Sequence, residues 1–158
     1  MNKSEVMETK YFSLLAGLGA TLTLAILSYL EVFTQSGLWL MAPFGATTVL
    51  VFGVPASPLA QPKNVILGHL LSASVGLVFV TYVGVYPWSL ALATGLAITL
   101  MLATKTTHPP AGANPMLIMM TGQSWSFLLS PVLSGVLIIV AMGYLVNKSL
   151  QRYLPVKP

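Results

Sequence analysis

PFGAT at residues 43–47 and PAGAN at residues 110–114 decide how this chain folds, because each begins with a proline that interrupts a hydrophobic stretch. Proline is tolerated in the first turn of a helix and disfavoured in its interior, so each segment predicts the start of a new helix. The apolar stretch after each proline is roughly a dozen residues long, too short to cross a bilayer comfortably. Interrupted helices of this kind commonly border a substrate site in membrane proteins, and we expect one here.

The composition indicates that the rest of the chain lies in a membrane. Of 158 residues, 56% are hydrophobic and 6% are charged, and the mean hydropathy is +0.85. Apolar runs that predict membrane helices occupy residues 11–30, 38–54, 65–85, 88–104, 126–146 and, as a shorter sixth run, 110–121. The predicted fold is therefore all-α, a polytopic transmembrane helical bundle that forms a single transmembrane domain over residues 1–158.

The basic residues predict the orientation of these crossings. With a cytoplasmic N-terminus and six crossings, all seven basic residues fall on one side: Lys3, Lys10, Lys63, Lys105, Lys148, Arg152 and Lys157. An alternative in which residues 108–121 form a re-entrant hairpin leaves the last three on the other side. We therefore expect an integral protein of a bacterial inner (plasma) membrane, with both termini cytoplasmic and residues 1–10 as a short cytosolic leader.

The two halves of the sequence, residues 1–85 and 86–158, resemble each other. A shift of 67 positions aligns Pro43 with Pro110, and it also aligns Gly68 with Gly135 and Gly76 with Gly143. Chance matching of small residues is the alternative explanation. Three crossings in each half would make an inverted-topology repeat, in which the two short helices approach from opposite faces and meet near the midplane.

The scarcity of acidic residues narrows the function. The sequence contains no Asp and no Cys, and its three Glu residues, Glu5, Glu8 and Glu31, lie outside the apolar runs. Cation and metal pathways normally need carboxylates, thiolates or several imidazoles, whereas only His69 and His108 are present here. We therefore expect no metal site and no cofactor. Nucleic acid is not expected as a partner, because the basic residues form no patch.

The remaining neutral and positive groups suit a small anion. We expect backbone N–H groups at the starts of the short helices to bind it, together with nearby side chains. The predicted substrate-binding residues are Pro43, Gly45, Ala46, Thr47, Thr48, Thr107, His108, Pro110, Gly112, Ala113 and Asn114. The residues predicted to form a gate or mouth are Gln61, Asn64, His69 and Lys105.

Several roles stay open at this stage. His108 could line the pocket, accept a proton or cap a helix, and His69 is expected near the inner face, bonded to a backbone carbonyl or close to Gln61. A passive channel or a non-transporting scaffold are alternatives to a carrier. An intramembrane enzyme is not expected, since no thiol or intramembrane carboxylate is available. A homo-oligomer would help to seal irregular segments from lipid.

Several motifs, in order along the chain, resemble those of the HPP family of integral membrane proteins, named for its His-Pro-Pro motif. They are APFGAT at 42–47, SPLAQPKN at 57–64, Gly68-His69, and THPPAGANP at 107–115. The resemblance covers nearly the whole chain. Members in photosynthetic organisms are linked to nitrite transport, so the resemblance implies anion translocation. The family is usually described with fewer membrane helices than the six crossings predicted here.

Overall fold

The computed structural model describes the backbone of residues 3–35 and 38–153 and the side chains of residues 11–35 and 38–149. All regular structure in these residues is helical, which confirms the predicted all-α class. The α-helices are α1 (Lys3–Thr34), α2 (Ala42–Thr48), α3 (Pro62–Tyr82), α4 (Pro87–Ala103), α5 (Asn114–Thr121) and α6 (Ser134–Tyr153). π-helical turns follow α2 (Val49–Gly53) and precede α6 (Leu128–Leu133), and 3₁₀ turns lie at Pro58–Ala60 and Pro109–Ala113.

Three helices are long and apolar enough to cross a membrane: Tyr11–Thr34, Pro62–Tyr82 and Leu128–Ser149. Two further apolar helices, Ala42–Gly53 and Pro87–Ala103, are shorter. At 1.5 Å per residue Ala42–Gly53 extends about 18 Å, against a hydrocarbon core of about 30 Å. We refer to Ala42–Gly53 as the first short segment and to residues 109–121 as the second.

Prolines and glycine set several helix ends. Pro62 and Pro87 lie in the first turns of α3 and α4, where the missing N–H has no intrahelical partner to lose. α5 ends at Gly122, whose φ of 66° is left-handed and suits a residue without a Cβ. The predicted run at 126–146 is not one regular helix, because Ser130 has extended dihedrals just before Pro131.

One end of the bundle collects the described lysines. The Asn64 side chain, near the start of α3, donates to the Thr107 carbonyl just after α4, with 2.9 Å between N and O. A cavity lined by both Gln61 and Lys148 brings the end of α6 to the same place. Exposed Lys63, Lys105 and Lys148 therefore lie at this end, which we call the lysine end. Of the other predicted cytoplasmic charges, the side chains of Lys3, Lys10, Arg152 and Lys157 lie outside the described residues.

α3 packs along the second short segment. A Cβ on Gly68 would lie 2.8 Å from His108 Cβ, and one on Gly76 would lie 2.8 Å from Pro115 Cα and 3.3 Å from Ile118 Cβ. The second short segment therefore runs in the same direction as α3, away from the lysine end. It does not turn back as the hairpin alternative required.

α6 packs along the first short segment in the same manner. A Cβ on Gly135 would overlap the Phe44 ring, and one on Gly143 would overlap the Val51 side chain. α6 thus runs with the first short segment, towards the lysine end. Under the shift of 67 positions, Gly76 corresponds to Gly143 and Val51 corresponds to Ile118. The contact between Gly76 and Ile118 is therefore equivalent to the contact between Gly143 and Val51, and each half places a long helix against the short segment of the other half.

The core lies on both sides of the short segments. A large apolar cluster joins α1, the first short segment, α3 and α6, and includes the fully buried Leu27, Phe44, Leu77 and Ile139. A smaller cluster joins α3, α4 and α5 through Val75, Phe79, Ala93, Ala97 and Met119.

Candidate functional site

His69 lies between the two short segments and is bonded to both. Its Nε2 is 2.8 Å from Thr47 Oγ1, and its Nδ1 is 3.0 Å from Asn114 Nδ2. Thr47 and Asn114 are equivalent under the shift of 67 positions, so equivalent residues of the two halves bind opposite nitrogens of one ring. The ring is fully buried, and Phe44 meets it edge to face at 5.5 Å between centroids.

His108 is the second buried ring of the site. Its Nε2 is 2.9 Å from Thr47 Oγ1 and its Nδ1 is 2.8 Å from the Leu59 carbonyl oxygen. The backbone of His108 is extended (φ −137°, ψ 98°), as expected for a residue before proline. The centroids of the His69 and His108 rings are 5.1 Å apart. Thr47 therefore joins two adjacent imidazoles.

The Thr47 hydroxyl is used to full capacity. Besides the two imidazole nitrogens, it lies 2.9 Å from the Pro43 carbonyl oxygen. A hydroxyl donates one hydrogen and accepts two, so three partners satisfy it completely. We call Thr47, His69, His108 and Asn114 the histidine cluster.

Asn114 anchors the second short segment to α3. Its amide nitrogen lies 2.9 Å from Ser72 Oγ and 3.2 Å from the His69 carbonyl oxygen, in addition to His69 Nδ1. Its Oδ1 is buried and has no hydrogen-bond partner among the described residues. The reverse amide orientation would turn this oxygen towards the His69 carbonyl, which only accepts, so the orientation shown is the better paired. An unsatisfied buried acceptor costs about 1–3 kcal/mol, which marks this atom as a place where a donor would bind.

The cluster contains no carboxylate. Within the described part of the chain, no three His, Cys, Asp or Glu side chains lie together as a metal site would require. The Glu31 carboxylate accepts a hydrogen bond from the backbone N–H of Trp39 at 2.6 Å, before the first short segment begins. The chemistry available at the cluster is hydrogen bonding by neutral groups, and proton binding by imidazole.

The backbone N–H groups expected to bind an anion are largely engaged within the chain. Both short segments begin with prolines, which carry no N–H. In the first, the N–H groups of Phe44 and Gly45 donate to the Met41 carbonyl at 2.9 and 3.4 Å. In the second, the Ala111 N–H donates to the His108 carbonyl at 3.0 Å. The donors of the site are therefore mainly side chains.

The other predicted substrate-binding residues surround the cluster without joining it. Gly45 and Gly112 face open space, since a Cβ on either would have no neighbour within 4 Å. Thr48 donates to the Gly45 carbonyl at 2.7 Å, within its own helix. The remaining ones divide into buried Pro43 and Pro110, half-buried Thr107 and Ala113, and exposed Ala46.

Among the residues predicted to form a mouth, His69 lies in the cluster. α3 begins at Pro62 and not at Val65, and His69 follows about 10 Å further along the helix, where its ring nitrogens are bonded to Thr47 and Asn114 and not to a backbone carbonyl or Gln61. Sequence reasoning also missed Ser72 as a partner of Asn114 and the Leu59 carbonyl as a partner of His108. Ser72 was detectable, since it lies one turn beyond His69 on the Gly68 to Gly76 face.

The other three predicted mouth residues lie at the lysine end. The Asn64 side chain donates a hydrogen bond to the Thr107 carbonyl and so fixes the position of the backbone just before His108. Gln61 closes the preceding loop by donating to the carbonyls of Pro55 and Ser57 at 3.1 and 3.2 Å.

Lys105 ends α4 through its backbone. With a left-handed φ of 54°, it donates to the Leu102 carbonyl at 3.2 Å, while the next residue, Thr106, donates to the Met101 carbonyl at 2.9 Å. This pair of hydrogen bonds is a Schellman motif. The Lys105 side chain is exposed.

A cleft of about 420 Å³ opens at the lysine end, lined by residues including Val51, Ala60, Gln61, Tyr144, Asn147 and Lys148. Asn147 donates to the Val51 carbonyl at 3.0 Å, and its Oδ1 is buried with no partner among the described residues. Ala60 lines the cleft and the adjacent Leu59 carbonyl meets His108, so one 3₁₀ turn separates the cleft from the cluster. A second cavity, of about 500 Å³, is apolar and lies against α1. Neither cavity is lined by the histidine cluster.

The chain is similar to known proteins over most of its length. The family described as "HPP, transmembrane region" matches residues 7–155. A transmembrane protein of Dictyostelium discoideum is 40% identical over 141 residues, which cover 84% of this chain and 50% of the relative. Another from the same organism is 39% identical over 134 residues, covering 80% of this chain and 43% of the relative. The chain thus spans about half the length, or less, of these relatives.

No solved structure matches the chain significantly. The family match covers both short segments, the His-Pro-Pro motif and all four residues of the histidine cluster. The chain therefore belongs to the HPP transmembrane family.

Proposed function

We propose that this protein transports a small inorganic anion across a membrane, with nitrite as the first substrate to test. The observation that carries the proposal is the meeting of two interrupted helices at a buried cluster of hydroxyl, amide and imidazole groups with no carboxylate. The HPP resemblance supports nitrite, since members in photosynthetic organisms are linked to its transport. The relatives matched here are named only as transmembrane proteins.

The cluster suits an anion on energetic grounds. An unpaired monovalent anion in a medium of low dielectric costs tens of kcal/mol by a Born estimate, so hydrogen-bond donors must replace its water. The Thr47 hydroxyl, the Asn114 amide and the two imidazoles would supply such donors once they exchange their present hydrogen bonds within the cluster for the anion, and no fixed negative charge repels it. A cation would find no carboxylate to compensate it.

The cleft at the lysine end supports a route to the cluster. Exposed Lys148 borders the cleft, and Lys63 follows Pro62 at its rim, so the local charge would attract anions towards the opening. The 3₁₀ turn Pro58–Ala60 lies between the cleft and His108. Displacement of this turn would release His108 Nδ1 and open the way to the cluster. A route that opens only when this turn moves is expected of a carrier. A channel would instead need a continuous water-filled path through the protein.

We infer that the halves 1–85 and 86–158 are inverted repeats that move against each other during transport. The exchange of contacts between Gly76–Ile118 and Gly143–Val51, and the opposite directions of α3 and α6, support this inference. Many transporters bind substrate where two such repeats meet. The gathering of Lys63, Lys105 and Lys148 at one end supports a cytoplasmic lysine end. Both termini would then face the cytoplasm, and we propose a bacterial plasma membrane as the location.

Flux in proteoliposomes tests the proposal. Nitrite, nitrate, chloride and formate should be compared with protein-free vesicles, because nitrous acid crosses lipid unaided. Gly112→Leu should abolish protein-dependent flux, since its side chain would enter the open space beside the second short segment without clashing with the described fold. Gly95→Leu is the matched control, because a Cβ there also has no neighbour within 4 Å and α4 carries no cluster residue.

Two results would contradict the proposal. The absence of flux for all four anions, from protein that is folded in the membrane, would remove the transport function. Unchanged flux in Gly112→Leu would remove the region around Gly112 from the anion path.

A further inference from the structure

The hydrogen-bond partners of the histidine cluster indicate how many hydrogens its two imidazole rings carry. The carbonyl oxygens of Leu59 and Pro43 can only accept hydrogen bonds. His108 Nδ1 must therefore carry a hydrogen to bond the Leu59 carbonyl at 2.8 Å. The single hydrogen of the Thr47 hydroxyl is directed at the Pro43 carbonyl at 2.9 Å.

The remaining bonds require one more hydrogen than two neutral rings possess. Because the Thr47 hydrogen is already used, the bonds from Thr47 Oγ1 to the Nε2 atoms of both His69 and His108 need hydrogens on those nitrogens. His69 Nδ1 accepts from the Asn114 amide, so His69 remains neutral with its hydrogen on Nε2. When all of these bonds form at once, His108 carries hydrogens on both nitrogens and is an imidazolium. When both rings are neutral, which is the state that burial favours, Thr47 turns to His108 and gives up Pro43.

We propose that His108 is the proton-binding group of a proton–anion cotransport site, in which the Thr47 hydroxyl turns between the Pro43 carbonyl and His108 Nε2 as the proton binds and leaves. This inference rests on the proposed anion transport and adds that the movement of the anion is coupled to the movement of a proton. A hydronium ion on one side gives its proton to His108 Nε2, so an O–H bond breaks as the N–H bond forms. On the other side the N–H bond breaks and the proton forms an O–H bond with water, and no covalent bond of the anion changes.

Burial links the proton to the anion. A buried imidazolium with no carboxylate nearby lacks a counter-ion, and a buried anion lacks one equally, so each favours the binding of the other. The His69 ring, 5.1 Å away between centroids, disfavours a second proton through charge repulsion. The expected stoichiometry is one proton for each monovalent anion, with no net charge moved.

Few other ionisable groups lie near His108. Among the described side chains on the elements packed around it, α3 carries Lys63, His69 and, at its far end, the exposed Tyr82, whereas α2, α4, α5 and the turn Pro58–Ala60 carry none. The only ionisable neighbour in its own connecting segment is Lys105, whose side chain is exposed. Within these surroundings, His69 and His108 are the imidazoles that a proton could reach.

The chain offers an unambiguous spectroscopic test, because it contains only two histidines. Protein labelled with ¹⁵N-histidine in lipid nanodiscs should give two sets of ring signals, which report the tautomer and charge of each ring. His108→Gln should remove one set and so assign both. We expect His69 to keep its hydrogen on Nε2 throughout, and the midpoint of His108 protonation to rise by at least one pH unit when saturating nitrite or nitrate is added.

Thr47 variants separate the hydroxyl from general packing. Thr47→Ser keeps the hydroxyl and should keep the anion-dependent change at His108. Thr47→Val removes the hydroxyl and should abolish that change. Thr94→Val is the matched control, because Thr94 donates only to the Leu90 carbonyl of its own helix, at 2.9 Å. If Thr47→Val does not fold, the wild-type and Thr47→Ser spectra still decide the question.

Flux measurements distinguish the two proposals. With a pH-sensitive dye inside proteoliposomes, one proton should accompany each nitrate, and the rate should not change when the membrane potential is clamped. Nitrate is the decisive anion because its strong conjugate acid does not leak through lipid. Anion flux that follows the potential without protons would overturn cotransport and leave anion transport standing. Protonation of His69 before His108, or a His108 signal that ignores anions, would overturn the proton site whether or not flux is seen.

Discussion

The two short segments pack alike and differ in chemistry. Each begins at prolines, follows a glycine-bearing face of the long helix from the other half, and brings one polar residue to His69. The second short segment is preceded by His108, whereas the equivalent position before the first is Met41. Likewise, the position in α6 equivalent to His69 is Val136, which is fully buried. The two segments are therefore alike in these contacts, and the ionisable residues are present at only one of them.

This difference indicates that the two segments have different tasks. Thr47 of the first segment is a neutral hydroxyl that joins two rings, while the second segment follows the ring that can take a charge. His69 and His108 come from different halves of the chain, but both belong to the pair formed by α3 and the second short segment, whereas α6 and the first short segment have Val136 and Met41 at the equivalent positions. The predictions that follow test how far the packing symmetry extends.

The largest effect is expected at Gly76. In Gly76→Ala the new Cβ would lie 2.8 Å from Pro115 Cα, a backbone atom that cannot move aside as a side chain can. The free energy of unfolding should therefore fall by about 1–3 kcal/mol. Gly143→Ala should cost less, because it meets the Val51 side chain, which can change rotamer. Gly112→Ala, with no neighbour within 4 Å, is the control and should be near neutral. Denaturant unfolding in mixed micelles measures all three, and a larger loss for Gly143→Ala would show that side-chain adjustment does not set the difference.

A smaller effect is expected from the two asparagines that hold the segments at the lysine end. Asn64→Ala frees the Thr107 carbonyl and Asn147→Ala frees the Val51 carbonyl, and each should cost about 0.5–1.5 kcal/mol. Only Asn64→Ala should also change the ¹⁵N signals of His108, because Asn64 fixes the chain just before that ring. Equal changes at His108 in both variants would contradict the separate roles of the two segments.

The smallest effect is expected at Lys105. Its left-handed φ of 54° strains a residue that has a Cβ, so Lys105→Gly should raise the stability by roughly 1 kcal/mol. Lys105→Ala removes the charge without relieving the strain and serves as the control. A loss of stability in Lys105→Gly would show that the side chain has a role beyond ending α4.

Much of the scaffold could be predicted from the sequence because it depends on local rules. The apolar runs predicted at 65–85 and 88–104 correspond to α3 and α4, which begin three residues and one residue earlier, because proline is suited to the first turn of a helix. The close face of α3 follows from Gly68, Ser72 and Gly76 at four-residue spacing. The extended backbone of His108 follows from the proline after it.

The site was predicted less well because it depends on distant contacts. The cluster joins Thr47, His69 and Asn114 from three different elements, and no spacing rule gives their distances. The expectation of free amides overlooked local rules: the prolines near the starts of the short segments carry no N–H, and the N–H groups of Phe44, Gly45 and Ala111 donate to backbone carbonyls close by in the chain. The Leu59 carbonyl was missed because main-chain partners leave no trace in side-chain patterns.

The exchange of partners between halves has a consequence for biosynthesis. When the ribosome has released α3, the Gly68 to Gly76 face has no neighbour from its own half, because its partner is encoded some forty residues later, at 106–118. Until that stretch has been synthesised, we expect the small-residue face of α3 to lack its native partner, for a time set by the translation of the intervening α4.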